Sequence, residues 1–217
     1  MPDLGHPARL TIGKDAGLLR LDVVQVPQPH DQPPLVRRSI AATDRDLTEG
    51  LIKSGVVLRG HSKRDVATIS AWAGEPVAAP DLYQVEIVDQ LDKSVQSVIE
   101  GGSPEFHFVN VFLVADGKQK EAVEYFAHTI PYVRKQPGYV SNNVLMSTDG
   151  RHAVNVGQYE SRQDFLAIFR QPDVLAAFGK ARRIVCPLLG VLPRSPRLRL
   201  HDLIHVTDLP HPSLAEA

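Results

Sequence analysis

Cysteine is nearly absent from this chain: Cys186 is the single one in 217 residues. One thiol excludes an intrachain disulfide framework and any zinc site built on paired thiolates. Its place in the apolar run Ile184 to Leu189 reads as that of a buried, inert side chain. No apolar stretch approaches the ~20 residues that a membrane-spanning helix needs, so no membrane partner is expected. The opening MPDLGHPARL lacks a basic region followed by an apolar one. No secretory leader is therefore expected, and the cytoplasm is the expected location. An excess of either charge is missing too. The 24 Lys and Arg stand against 25 Asp and Glu, for a formal net charge of -1, with modest basic clusters at Lys180 to Arg183 and at Arg194, Arg197 and Arg199. That balance speaks against nucleic acid as a partner. Neither the G-x-G-x-x-G dinucleotide fingerprint nor the G-x-S-x-G nucleophile elbow occurs, so a Rossmann-bound cofactor and hydrolase chemistry lack support.

What the chain does contain is an internal repeat. Leu18 to Val26 alternates as a strand, with Leu19, Leu21 and Val23 on one parity. A helix follows, with Pro33 and Pro34 at its start, Leu47 and Leu51 on one face, and Gly55 as the capping residue at its end. VVLRGHS and VATISAWAG form a hairpin about Lys63, Arg64 and Asp65, and Leu82 to Val88 is a fourth strand. The second half repeats the order. FHFVNVFLV is a strand, and the helix from about Lys118 to Lys135 carries Val123, Phe126, Ile130 and Val133 on one face. Pro131 is placed to kink its last turn. YVSNNVLMS and HAVNVGQYES pair through the Thr148-Asp149-Gly150 turn. A second helical segment, from about Ser161 to Arg183 and divided at Pro172, precedes the closing strand LRLHDLIHV.

Aligned, Gly55 falls on Gly138, Thr68 on Asn155 and Trp72 on Tyr159, and the first copy lacks the second helix. The expected organisation is a degenerate ferredoxin-like unit over residues 1–90, a linker over 91–104 and a complete unit over 105–217. A βαββαβ unit covers one sheet face with helices and leaves the other bare. Two such sheets packed together bury both bare faces, so the expected class is α+β: tandem ferredoxin-like units forming an intramolecular, pseudo-dimeric α+β barrel. Further homodimerisation is left open.

The run PGYVSNNVLMSTDGRHAVNVGQYESRQDF resembles the antibiotic biosynthesis monooxygenase family of dimeric α+β barrel proteins. The resemblance rests on Pro137-Gly138-Tyr139, the hairpin at 147–150 and the strand Val154 to Ser161, and covers about half the chain. It implies an oxygenase acting on a polycyclic aromatic polyketide intermediate, of anthrone or angucyclinone type, with molecular oxygen. Anthrone oxygenases of this family form quinones without metal or flavin. Angucycline ring-opening members instead use reduced flavin (FAD or FMN) as a diffusing co-substrate, supplied by a separate flavin reductase. No motif here separates the two branches. The family's tryptophan at the strand end is Tyr159 in this chain, with Trp72 in the first copy.

Asn155, Gly157 and Tyr159 share parity and hence one face. Asn155 and Tyr159 are the expected hydrogen-bonding partners of the substrate's oxygens. His is the commonest general base near neutral pH, and His61 and His107 are the candidates. His201 and His205, four apart on a strand, lie about 13 Å from each other, too far for one metal ion. Trp72, Asn110, Phe126, Phe165 and Phe178 complete the expected substrate-binding set, with one working pocket in the second copy. Two other readings use the same fold: a non-oxidative polyketide cyclase or isomerase, and a non-catalytic ligand-binding protein.

Overall fold

In chain order the strands are β1 (Arg9–Gly13), β2 (Leu18–Gln25), β3 (Ile52–Gly60), β4 (Asp65–Trp72), β5 (Leu82–Gln90), β6 (Gln96–Glu100), β7 (Phe106–Leu113), β8 (Tyr139–Ser147), β9 (His152–Tyr159) and β10 (Leu200–Asp208). The helices are α1 (Gln32–Thr48), α2 (Gln119–Val133) and α3 (Arg162–Ala167), and residues 172–177 are also helical. The computed structural model describes residues 8–13, 16–74, 81–90, 96–103, 105–177 and 200–208. Phe178, Cys186 and the basic clusters after residue 179 lie outside the described residues, as does the expected helix beyond 177.

Eight strands close into a barrel in the order β10-β3-β4-β2-β5-β8-β9-β7. Within it the first copy reads β5-β2-β4-β3 and the second β10-β7-β9-β8, which is the same ferredoxin-like order twice. Each copy's last strand pairs with the second strand of the other: β5 with β8, and β10 with β3. One chain thus seals both seams of its own pseudo-dimer. The centre of the inward face is apolar, with Leu19, Leu21, Val56, Leu58, Ile69, Val109, Leu145 and Val156 nearly or wholly inaccessible to solvent.

Helices cover the outer faces. Pro33 and Pro34 stand in the first turn of α1, where a missing N–H costs nothing. Leu35 and Val36 of α1 pack on Val57 and Val66. The spaced Val123, Phe126, Ile130 and Val133 are the buried stripe of α2, which runs through Pro131 to Val133. Ser161 caps α3, its hydroxyl oxygen accepting from the Asp164 N–H at 3.1 Å. Residues 168–170 form a 3-10 turn, and the next helical stretch begins at Pro172, as expected.

Two expectations are corrected. Part of the linker is ordered structure: β6 pairs with β1 as an antiparallel ribbon, and Leu10, Ile12 and Ile99 are fully buried with the barrel's inward residues. Five-residue strands flanked by Gly101-Gly102 carry too little periodic signal to outweigh a linker-like composition. Gly55, expected as a helix cap, lies inside β3. A Cβ there would meet the Thr43 methyl of α1 at 2.6 Å, so it is needed for close helix-sheet packing. Gly50, with φ +71°, is the left-handed residue after α1, the role Gly138 (φ +70°) plays before β8.

One buried polar chain crosses the β3–β10 seam. His201 on β10 places Nε2 3.0 Å from Asp65 Oδ2 on β4, both side chains being inaccessible or nearly so. The Ser62 hydroxyl donates to the other Asp65 oxygen. Gln32 of α1 donates to the carbonyls of Gly60 and Asp65, at 2.8 Å each.

Candidate active site

The outer face of the second sheet, beneath α2 and α3, is built in rows fixed by strand register. Phe112 and Ala153 lie opposite each other at one end; then come Asn110, Asn155 and Val144, then Phe108, Gly157 and Asn142, then Phe106, Tyr159 and Tyr139. Two apolar clusters occupy the ends. Phe112, Phe126, Val144 and Ala153 belong to one, while Phe106, Phe108, Tyr159 and Phe165 belong to the other. The three asparagines sit between them as a polar seam. Asn110 is 8% and Asn142 6% exposed, and Asn155 is partly buried.

Asparagine is uncommon in strands, and a buried amide normally finds partners. Here the Oδ1 atoms of Asn155 and Asn142 are shielded from solvent and accept no hydrogen bond from the described residues. Each amide offers two donors and an acceptor. A hydroxyl brought to the seam can donate to Oδ1, and a carbonyl or other acceptor oxygen can accept from the NH2 group.

The aromatic wall is close-knit. Phe165, 2% exposed, packs its ring against Phe108 at 5.0 Å, Tyr159 at 5.2 Å and Phe106 at 5.5 Å between centroids. At the other end of the seam Phe126 packs its ring against Phe112, 4.9 Å between centroids. Gly157 makes room for Phe108: a Cβ there would fall 2.2 Å from the ring. Gly157→Ala is therefore expected to lower stability by about 2 kcal/mol, read as a reduced urea midpoint, and to displace the ring that floors the seam.

Burial raises the Tyr159 phenol above its ordinary value. Burial, and then the Asp89 carboxylate, do the same for Tyr139, whose hydroxyl donates to Asp89 at 3.0 Å. Both phenols remain protonated at neutral pH, with Tyr139 donating to Asp89. Asp89, the neighbour of Asn142 on β5, is also held by Arg134 at 2.8 Å. A 420 Å³ hollow between α2 and β5 has Asp89 in its lining.

The fold thus places Asn155, Asn110 and Tyr159 on one sheet face, with Phe126 packed in the cluster at one end and Tyr159 and Phe165 in the cluster at the other. It does not bring His107 to them: that side chain points into the barrel on the other face of the sheet, fully buried, with Nε2 3.4 Å from Gln158 Nε2. Trp72 ends β4 on the outer face of the first copy, opposite Ile52, with its indole N–H shielded and without a partner among the described residues. His61 stands between these cases. It lies in the β3–β4 turn with its ring 5.3 Å from Phe106, at the rim of the aromatic cluster. Asn142 and the Tyr139–Asp89–Arg134 chain were not singled out by sequence reasoning, which put Gly157 on the face of Asn155 without giving it a role.

A family model described as antibiotic biosynthesis monooxygenase matches residues 106–180, which hold this face. Tetracenomycin-F1 monooxygenase of Streptomyces glaucescens is 37% identical over 83 residues, 38% of this chain and 74% of that protein. The chain belongs to the antibiotic biosynthesis monooxygenase family.

Among solved structures, an anthrone oxidase-like protein superposes with a TM-score of 0.72 at 20% identity, covering 96% of this chain and 100% of that one. A ferredoxin-fold protein of Listeria monocytogenes related to antibiotic biosynthesis monooxygenases gives 0.51 at 9% identity, covering 94% and 99%. A major regulator of staphylococcal pathogenesis gives 0.53 at 12% identity, covering 87% and 99%. At such identities these structures speak for the two-unit fold alone, and the regulator shows that the fold does not fix an activity.

Proposed function

We propose that the chain is an oxygenase that converts a polycyclic phenolic polyketide, of anthrone type, to its quinone with molecular oxygen. The observation that carries this reading is the amide seam, in which Asn155 and Asn142 have shielded, unpartnered oxygens between two aromatic clusters. Likeness to tetracenomycin-F1 monooxygenase supports it.

The polycycle lies between Phe126 and Phe165, and Asn155, with Asn110 opposite, holds its peri oxygens. A phenolic ring so held ionises to an anion that the amide N–H groups and the Tyr159 hydroxyl stabilise as charge develops on oxygen. The electron-rich anion itself reduces oxygen. Two C–H bonds of the central CH2 break; one oxygen atom becomes the carbonyl and the other leaves as water with both hydrogens, four electrons passing from carbon to O2. The balance needs no further reductant. The protein's work is to orient the rings and exclude bulk water. His61, at the rim, takes up the phenolic proton as the anion forms and returns it once the quinone is made, so that no proton is lost overall.

Oxygen uptake with an anthrone, with and without added reduced flavin, tests the reading. Uptake without flavin supports it, uptake only with reduced flavin moves the chain to flavin-assisted cleavage, and none in either condition across a panel of anthrones and angucyclinones ends it. Tyr159→Phe is expected to lower the rate about fivefold, the worth of one neutral hydrogen bond, with an unchanged pH profile. A profile that lost a limb would make Tyr159 an acid or base instead.

A further inference from the structure

A second concavity, of about 740 Å³, lies where the two copies meet at the β3–β4 turn. Its charged lining is wholly of one sign: Arg37 from α1, Arg59 and Lys63 from the hairpin and Arg162 from α3, with His61 between them. In a chain whose formal net charge is -1, a cleft with four permanent cations and no carboxylate in its lining is a marked local departure. Like charges so gathered repel one another, and a bound anion relieves that repulsion.

Arg37, Lys63 and Arg162 form no ion pair with the described residues. Of the acids near these cations in sequence, Asp65 is engaged by Ser62 and His201, Asp164 accepts from the Ser161 hydroxyl, and Asp31 lies beside His30 at 3.6 Å, while Glu160 is exposed and outside the lining. The frame is rigid. Gln32, 4% exposed, ties α1 to both ends of the hairpin turn, and Lys63 is held there at φ 58°, an unfavourable conformation for a side chain with a Cβ. One side of the cleft is apolar, formed by Pro33 and Val36, and the His61 ring leads from it to Phe106. The volume suits a small organic molecule.

We propose that this cleft is a binding site for an aromatic molecule bearing an oxyanion, a carboxylate or a phosphate. The oxyanion is gripped by Arg37, Lys63 and Arg162, and the ring lies on Pro33, Val36 and the His61 imidazole. Guanidinium groups suit both anions through paired N–H donors. The site takes residues from both copies, which gives the first copy a role beyond covering the second sheet.

The test is binding, read without turnover, so its outcome is independent of whether the chain consumes oxygen. Three fluorescent probes share one ring: 2-naphthoate, 2-naphthyl phosphate and the neutral 2-naphthalenemethanol. The proposal expects at least one anion to bind saturably, one per chain, on the order of tenfold more tightly than the alcohol, and more weakly as salt is raised. Whichever anion binds better identifies the group as carboxylate or phosphate. The Arg37→Ala, Arg162→Ala double variant should weaken anion binding on the order of tenfold. Arg38→Ala, an exposed neighbour on α1 outside the lining, should not. All of these side chains are exposed, and an unchanged melting temperature verifies folding. Equal affinity for the alcohol and both anions, or anion binding indifferent to the double variant, overturns the proposal.

Discussion

Asn155→Ala should lower kcat for oxygen uptake on an anthrone by about 10²- to 10³-fold, the usual cost of deleting one donor aimed at developing negative charge. KM should change little, because the aromatic walls that bind the rings are untouched. Asn155 stands directly across from Asn110 on one side and Val144 on the other, with its Oδ1 shielded and unpartnered. Removing the side chain therefore breaks no hydrogen bond to Oδ1 among the described residues, and the melting temperature should hold. A structural amide would show the reverse pattern, with lost stability and preserved turnover per folded molecule. Steady-state oxygen-electrode kinetics alongside thermal melts separate the two.

Asp65→Leu is expected to cost about 3 kcal/mol of folding stability, because it removes one member of a buried polar contact and keeps the other buried. Asp65 belongs to the first copy and His201 to the closing strand of the second, and their contact is wholly buried. The loss should appear as a fall of about 1 M or more in the urea midpoint. Adding His201→Leu should recover most of it, since removing both members of a buried polar pair is far milder than removing one. If the double variant is as unstable as Asp65→Leu alone, the pair is not what joins that seam.

Much of this fold is legible in the chain because its signals are local. The Asp149-Gly150 turn, with Gly150 at φ +74°, and the alternation in β9 place Asn155, Gly157 and Tyr159 on one face without reference to anything distant. Long-range pairing is not written locally. That β10 would lie against β3 as well as β7, and β5 against β8, follows from closure of the barrel. The same limit left the parity of Asn110 open until register set it opposite Asn155, and put His107 among the site residues when it faces the barrel.

Asn142 was hidden for a different reason. The register of β8 shifts between Tyr139 and Ser141, and an irregularity of that kind reverses the alternation beyond it. Counting by twos from Tyr139 puts Ser141 on the outer face and Asn142 in the barrel. In the structure Ser141 instead donates to Gln158, an inward residue, and Asn142 lies opposite the outward Gly157.

The inequality of the copies also has a physical meaning. The first sheet presents Asp22, Thr68 and Val57 in the row corresponding to Asn110, Asn155 and Val144. Asp22 there is raised in pKa by burial against the pull of Arg20. A charged, ion-paired row is a poor bed for a neutral polycycle, whereas the amide row of the second copy suits one.

The most direct test of the central claim follows oxygen itself. The purified chain, an anthrone and ¹⁸O₂, with no flavin or metal added, should give quinone carrying one labelled atom at the new carbonyl, the other emerging as labelled water. Quinone without label, or no quinone beyond the spontaneous rate, would contradict the account.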